Sequence, residues 1–312
     1  METVSYGGWD ACRRLRSGDV ELIVTTEVGP RILFYGRSGG DNELHVAPRS
    51  KDAPGPDEWV NYGGHRLWHA PEVPPRNMAP DNDAVQVQEV PGGAVFVQPT
   101  EASTGLQKAI EIVGDDRGVF CIRHRLTNHN LWAIEAAVWP ISVMAAGGTA
   151  IVPLPPRGVH PETIAPSNPV VLWGYTDMAD PRFVWGRQCI LVHHDGDAAQ
   201  AQKVGTWSPA GWIAHARAGR LVLKTFDLDP EAFAAGRYPD MGSNIEVFTN
   251  ADILEVETLG PLTRIEPGQT VEHAERWSLL HDVPQPRSEA EALSAVLPRV
   301  EAALKAADST AS

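Results

Sequence analysis

Glu255 and Glu257 lie two residues apart in Ile253-Leu-Glu-Val-Glu-Thr-Leu-Gly-Pro-Leu262 and are the first residues whose spacing suggests chemistry. On an extended strand both carboxylates point to one face and Val256 to the other. Like charges on one face repel, so the pair belongs either at a solvated edge or beside a matching Lys or Arg. In a desolvated site the same repulsion raises one carboxyl toward neutrality, as a general base requires. Glu246, in Ser243-Asn-Ile-Glu-Val-Phe-Thr249, falls on what reads as the neighbouring strand, and Asp240 stands just upstream.

A denser set occupies Asn61-Tyr-Gly-Gly-His-Arg-Leu-Trp-His-Ala-Pro-Glu72. Behind the Gly63-Gly64 pair, which lets a backbone turn sharply or approach a ligand, come His65, Arg66, Trp68, His69 and Glu72. The segment reads as a loop: a polar one around a core tryptophan, or a binding or catalytic one. Downstream, Ala79-Pro-Asp-Asn82 has turn chemistry that returns Asp81 toward the same rim. A third reading is metal, because H-x₃-H-x₂-E on a helix would put His65, His69 and Glu72 on one face. Pro71 forbids an ordinary helix running to Glu72, and no fourth ligand is evident, so no metal is expected. There is no P-loop, G-x-G-x-x-G fingerprint or G-x-S-x-G elbow, so no nucleotide or other cofactor is expected either.

The elements that must position these groups are strands. Segments 19–27, 31–36, 84–90, 93–99, 118–126, 149–154, 169–175, 189–194, 211–217, 220–226, 243–250, 252–259 and 270–280 are short and rich in β-branched or aromatic residues. Ile122, His124 and Leu126 alternate with Arg123 and Arg125, the period of a half-solvated strand. No alternation of strand and helix appears, which disfavours parallel-sheet architectures. One helix is expected, at about 288–306. Ser288 and Glu291 form a capping box, Leu293, Val296, Leu297, Val300 and Leu304 form an apolar stripe, and Pro298 should kink it. The tail Asp308–Ser312 should fray. No repeat or linker divides the chain, so residues 1–312 are expected to form one domain.

A net charge of −14 disfavours nucleic acid and anionic membranes as partners. No run of about 18 apolar residues suggests a span, and the first residues lack a secretory h-region. Cys12, Cys121 and Cys189, odd in number and far apart, suit reduced thiols. Together these features lead us to expect a cytoplasmic protein. The 10 Trp either fill a core or, beside carboxylates and histidines, make a platform on which pyranose C–H faces stack, and the second case makes a small-molecule carbohydrate the expected partner. Oligomeric state is not legible.

The succession IEVFTN, LEVETLGPL and EPGQTVEHAERWSL resembles the last third of aldose 1-epimerases and galactose mutarotases. In those proteins the second of the three strands carries the catalytic glutamate. GGHRLWHAPE looks like the segment that lines the sugar site of hexose-phosphate epimerase relatives, and VGPRILFYGRSGGDNEL resembles the family's opening strand pair. The resemblance implies an all-β supersandwich with a C-terminal helix and interconversion of sugar anomers, with Glu257 as base. It further implies Arg31 near the site. Arg66, Glu72, Lys108, Asp240, Glu246 and Glu255 would hold substrate, with Trp68 and Trp139 as walls. Lys108 joins because Thr104-Gly-Leu-Gln-Lys108 precedes a strand and would project a cation inward, the other reading being a surface lysine. The family's acid histidine is missing: Ala136-Ala-Val-Trp-Pro140 puts Trp139 in its place, which leaves His65 or His69 to supply the acid. A non-catalytic sugar-binding protein, or a lyase or isomerase of a modified sugar, are the alternatives.

Overall fold

Alternating burial runs along Phe120–Asn128 as the sequence periodicity predicts: every second side chain is buried, and Arg123 and Arg125 take the half-buried positions between. The computed structural model describes residues 1–47, 58–166 and 168–308. Its strands form two antiparallel sheets. The first runs, in spatial order, Glu2–Tyr6, Trp9–Ser17, Val20–Thr25, Arg31–Arg37, His65–Ala70, Ile134–Met144, Leu254–Thr258, Ile245–Thr249, Gln202–Thr206 and Val170–Leu172, with Thr263–Ile265 paired to Ile134–Met144. The second runs Phe183–Trp185, Cys189–His193, Thr149–Pro153, Trp212–Arg217, Arg220–Phe226, Thr270–His281, Phe120–Asn128, Leu106–Gly114, Gly93–Val97 and Gln86–Val90. Their inner faces enclose the main core, in which Leu22, Ile32 and Tyr35 of the first sheet meet Phe96, Phe120 and Trp277 of the second.

The terminal helix covers the outer face of the second sheet, where Ala292, Val296 and Val300 pack on Ile151, Leu191 and Leu223. Ser288 Oγ accepts from the Glu291 amide, and the Glu291 carboxylate accepts from the Arg287 amide. Residues Ala292–Val296 take the wider π spacing just before Pro298, and regular α-helix then continues over Leu297–Asp308. A π turn absorbs the missing proline donor without breaking the helix. The helix thus runs slightly beyond the expected end, and the rest of the expected frayed tail lies outside the described residues.

The correction that matters for function is the segment read as a loop. His65–Ala70 is a central strand with all six residues buried. It is paired on one side with Ile134–Met144, Trp68 opposite Trp139, and on the other with Arg31–Arg37, Arg66 opposite Arg31. Gly63 and Gly64 lead into it with φ of 72° and 68°. A Cβ on Gly64 would stand 2.3 Å from the Ile32 carbonyl oxygen. Gly64→Ala should therefore lower stability by at least about 2 kcal/mol, read as a shifted denaturation midpoint. An unchanged midpoint would mean that the backbone here relaxes freely.

Candidate functional site

Strand alternation sorts the candidate residues onto opposite faces of the first sheet. On His65–Ala70, Arg66 and Trp68 point outward, while His65 and His69 point to the interior between the sheets. Ile141 lies opposite both Arg66 and Glu257, and Val143 lies opposite Glu255, so both glutamates share the outer face with Arg66, Trp68 and Trp139. Glu246 stands directly opposite Glu257.

On that outer face the charges are paired and almost completely buried. Arg66 donates to Glu255 at 3.0 Å and lies over the Trp68 ring, 4.8 Å from its centroid. Arg31 donates to Asp81 at 2.7 Å and to the Gly63 carbonyl at 2.8 Å. Asp81 thus returns to the rim, and Glu72 lies exposed beyond the strand end. Lys203, on Gln202–Thr206, places its ammonium 2.7 Å from Glu246 and 3.0 Å from Glu257. The same ammonium lies over the rings of Trp139 and Trp173 at 4.8 and 4.7 Å. The Trp139 indole N–H donates to Glu257 Oε2 at 2.9 Å. Glu257 Oε1 is buried and has no hydrogen-bond partner.

Burial raises the pKa of Glu257, the Lys203 ammonium opposes the shift, and the charge of Glu255 reinforces it. Burial raises Glu246 further, well above the ordinary range, with Lys203 opposing and Glu257 and Asp240 reinforcing. Burial alone would lower Lys203, but the two carboxylates hold it above its ordinary value and so keep it charged.

The inner face holds a second polar network. His65 Nε2 and His124 Nε2 are 2.7 Å apart, and His124 Nδ1 donates to the His273 carbonyl at 3.0 Å. With His124 Nδ1 carrying its proton, neutral His124 accepts from His65 at Nε2. His65 Nδ1 then accepts from the Ser142 hydroxyl at 2.7 Å, and Lys224 donates to that hydroxyl at 2.5 Å. Lys224 also pairs with Glu275 at 3.3 Å, and Glu275 accepts from Thr258 and from the Trp277 indole. Burial lowers His65 well below its ordinary value and takes His124 to about 4, so both are neutral. Ligand atoms of His65, His124 and Glu275 all lie within 4.8 Å of one another, a spacing a metal can use. Here the Lys224 ammonium already supplies a cation against Glu275.

His65 and His69 are therefore not brought to Glu257, because the sheet itself stands between them. They also cannot share an ion with each other: four residues along a strand span about 13 Å, whereas the shared-face reading assumed a helix. His69 is buried, and burial beside Lys108 lowers it to about 3. Lys108 points inward as expected, but into the interior between the sheets, where it pairs with Glu101 at 2.5 Å. It does not reach the outer face. Asp240 stands close enough to Glu246 to raise it. Sequence reasoning missed Lys203 and Trp173. Lys203 sits in a short Gln202–Thr206 strand that is buried throughout, and in sequence it is indistinguishable from a surface lysine.

No protein-family model and no curated protein sequence matches this chain. Solved structures do. A galactose mutarotase-like protein from Lactobacillus casei superposes with a TM-score of 0.52 at 10% identity, covering 86% of this chain and 100% of that one. A galactose mutarotase related enzyme from Lactobacillus acidophilus gives 0.51 at 7% identity, covering 88% and 99%. A TPR-domain containing protein from Parabacteroides distasonis gives 0.55 at 13% identity over 88% of this chain, which spans 48% of that longer one.

Proposed function

We propose that this protein, whose fold is that of galactose mutarotase-like proteins, acts on sugars at the anomeric carbon, with Glu257 as general base. The carrying observation is the state of Glu257. Its Oε2 is held by Trp139 and Lys203, while its Oε1 is buried and unpartnered on the aromatic outer face. A carboxylate fixed through one oxygen and unpartnered at the other is placed to take a proton from a hydroxyl brought against it. Trp173, half-buried, offers an apolar face for a pyranose, and Tyr175 and Glu72 lie exposed at the rim, where Tyr175 feels the charges of Lys203, Glu257, Glu72 and Glu246.

Opening a pyranose requires removal of the anomeric proton and protonation of the ring oxygen, which side chains with suitable pKa values accomplish without a cofactor. A second reading, sugar binding without turnover, is favoured by one observation: the groups shown bonding or acting on Glu257 include Trp139, Lys203 and Glu255, and neither His65 nor His69 joins them. Polarimetry on freshly dissolved aldoses separates the two. Faster anomer exchange with catalytic protein supports the proposal. Sugar binding that leaves the exchange rate of every aldose tested unchanged favours the binding reading.

A further inference from the structure

Among the charges buried on the outer face, Arg31 has Asp81, Arg66 has Glu255, and Lys203 has both Glu246 and Glu257. Three cations thus meet four carboxylates, and the excess falls on the Lys203 trio. Glu246 and Glu257 are cross-strand partners with relative exposures of 0% and 1%. Two ionised carboxylates directly opposed in such a place, with one ammonium between them, leave an uncompensated buried charge, which a retained proton removes.

The donors decide which carboxyl keeps that proton. Glu257 accepts hydrogen bonds from the Trp139 indole and from Lys203, both of which stabilise its anion. Glu246 has only the Lys203 ammonium, 2.7 Å from its Oε2, with no indole or other second donor, and its Oε1 has no partner. The groups facing Glu246 are Lys203, Glu257, the Asp240 carboxylate from the preceding turn, and Tyr175 from beyond the edge strand. Asp240 adds negative charge, which further favours a neutral Glu246. Opposite Glu246 stands Gly205, where a Cβ would come 2.5 Å from Ser243 Oγ and 3.2 Å from the Trp173 ring, so the glycine makes room for both beside the pair.

We infer that Glu246 is the protonated partner of Glu257 and supplies the acid that the missing histidine would have given. This rests on the reading of Glu257 as base. Glu257 Oε1 takes the anomeric hydroxyl proton, the bond between anomeric carbon and ring oxygen breaks as the carbonyl forms, and the ring oxygen receives the Glu246 proton. After rotation about the adjacent carbon–carbon bond the ring closes on the other carbonyl face. The hydroxyl then returns its proton to Glu246, and Glu257 protonates the carbonyl oxygen. Two environments that push paired carboxyls apart create an acid and a base from one residue type.

The test combines infrared difference spectroscopy at pH 7 with pH–rate profiles. The wild type should show the carbonyl stretch of a protonated carboxyl that Glu246→Gln removes. Trp139→Phe should leave its frequency unchanged, because the indole bonds Glu257 and not Glu246. A stretch that shifts in Trp139→Phe, or is absent from the wild type, overturns the assignment. In turnover, Glu246→Gln should lose roughly 100-fold and the alkaline limb of the profile. If Glu257→Gln is inactive while Glu246→Gln keeps both rate and limb, the acid assignment fails and the base stands. If the wild type exchanges no sugar anomers, the base reading fails, and the infrared result still decides where the proton resides.

Discussion

Lys224→Met should destabilise the protein by about 3–5 kcal/mol, the usual cost of leaving a buried charge without its partner. Lys224 and Glu275 have relative exposures of 1% and 0%, and Lys224 also holds Ser142, through which the His65–His124 chain is oriented. Burial alone would raise Glu275, but Lys224 and the neighbouring His124 and Thr258 bring it down to about 2. Its contribution is therefore fully present above the unfolded value of 4.5 and is lost as pH falls toward 2. His124 and His273, lowered by burial to about 4, contribute stability present above 6.5 that is lost as pH falls toward 4. Chemical denaturation of Lys224→Met across this range is the check. In the variant the carboxylate-linked part between 4.5 and 2 should shrink, because Glu275 no longer has a cation to hold it ionised. A variant within 1 kcal/mol of wild type at neutral pH would show that the inner network is solvated or redundant.

Glu257→Gln should lower turnover by roughly 100-fold or more while leaving the fold intact. The amide keeps the shape and can still lie against Trp139, but it has no carboxylate to receive a proton. It also leaves Lys203 with Glu246 alone, one cation for one carboxyl, so stability should not suffer from a new buried charge. Circular dichroism and a denaturation midpoint separate the two effects. A variant that folds and turns over at the wild-type rate would remove Glu257 from the chemistry. One that fails to fold would show that the Lys203 bridge to Glu257 is mainly structural.

Part of the architecture was legible because strands that bury one face keep a period-two alternation in sequence, and apolar strands buried on both faces, such as Val20–Thr25, keep their β-branched content. Phe120–Asn128 shows this plainly, as does the terminal helix with its Ser288 cap. Legibility failed where both faces of a strand are buried and polar. His65–Ala70 carries His65 and His69 to the inner network and Arg66 and Trp68 to the outer face, so no hydrophobic period remains and the segment read as a loop. Trp9–Ser17 was missed for a related reason, since its Arg13, Arg14 and Arg16 conceal the buried Trp9, Cys12 and Leu15. The shared face of Glu255 and Glu257 followed from the strand period alone. Which cation would meet them did not, because Lys203 comes from a strand more than 50 residues earlier. The histidine expected to face Glu257 was misplaced because face depends on register, and register follows from strand pairing that the sequence does not state.

The central claim places a sugar on the outer face of the first sheet with its anomeric hydroxyl at Glu257. A crystal structure of the protein soaked with an aldose that it binds tests this most directly. The expected result is the anomeric oxygen within about 2.6–3.2 Å of Glu257 Oε1, with a pyranose face against Trp173. Sugar bound elsewhere, such as the cavity of about 320 Å³ between Asp81 and Glu101, with Glu257 still buried and out of contact with it, would contradict it.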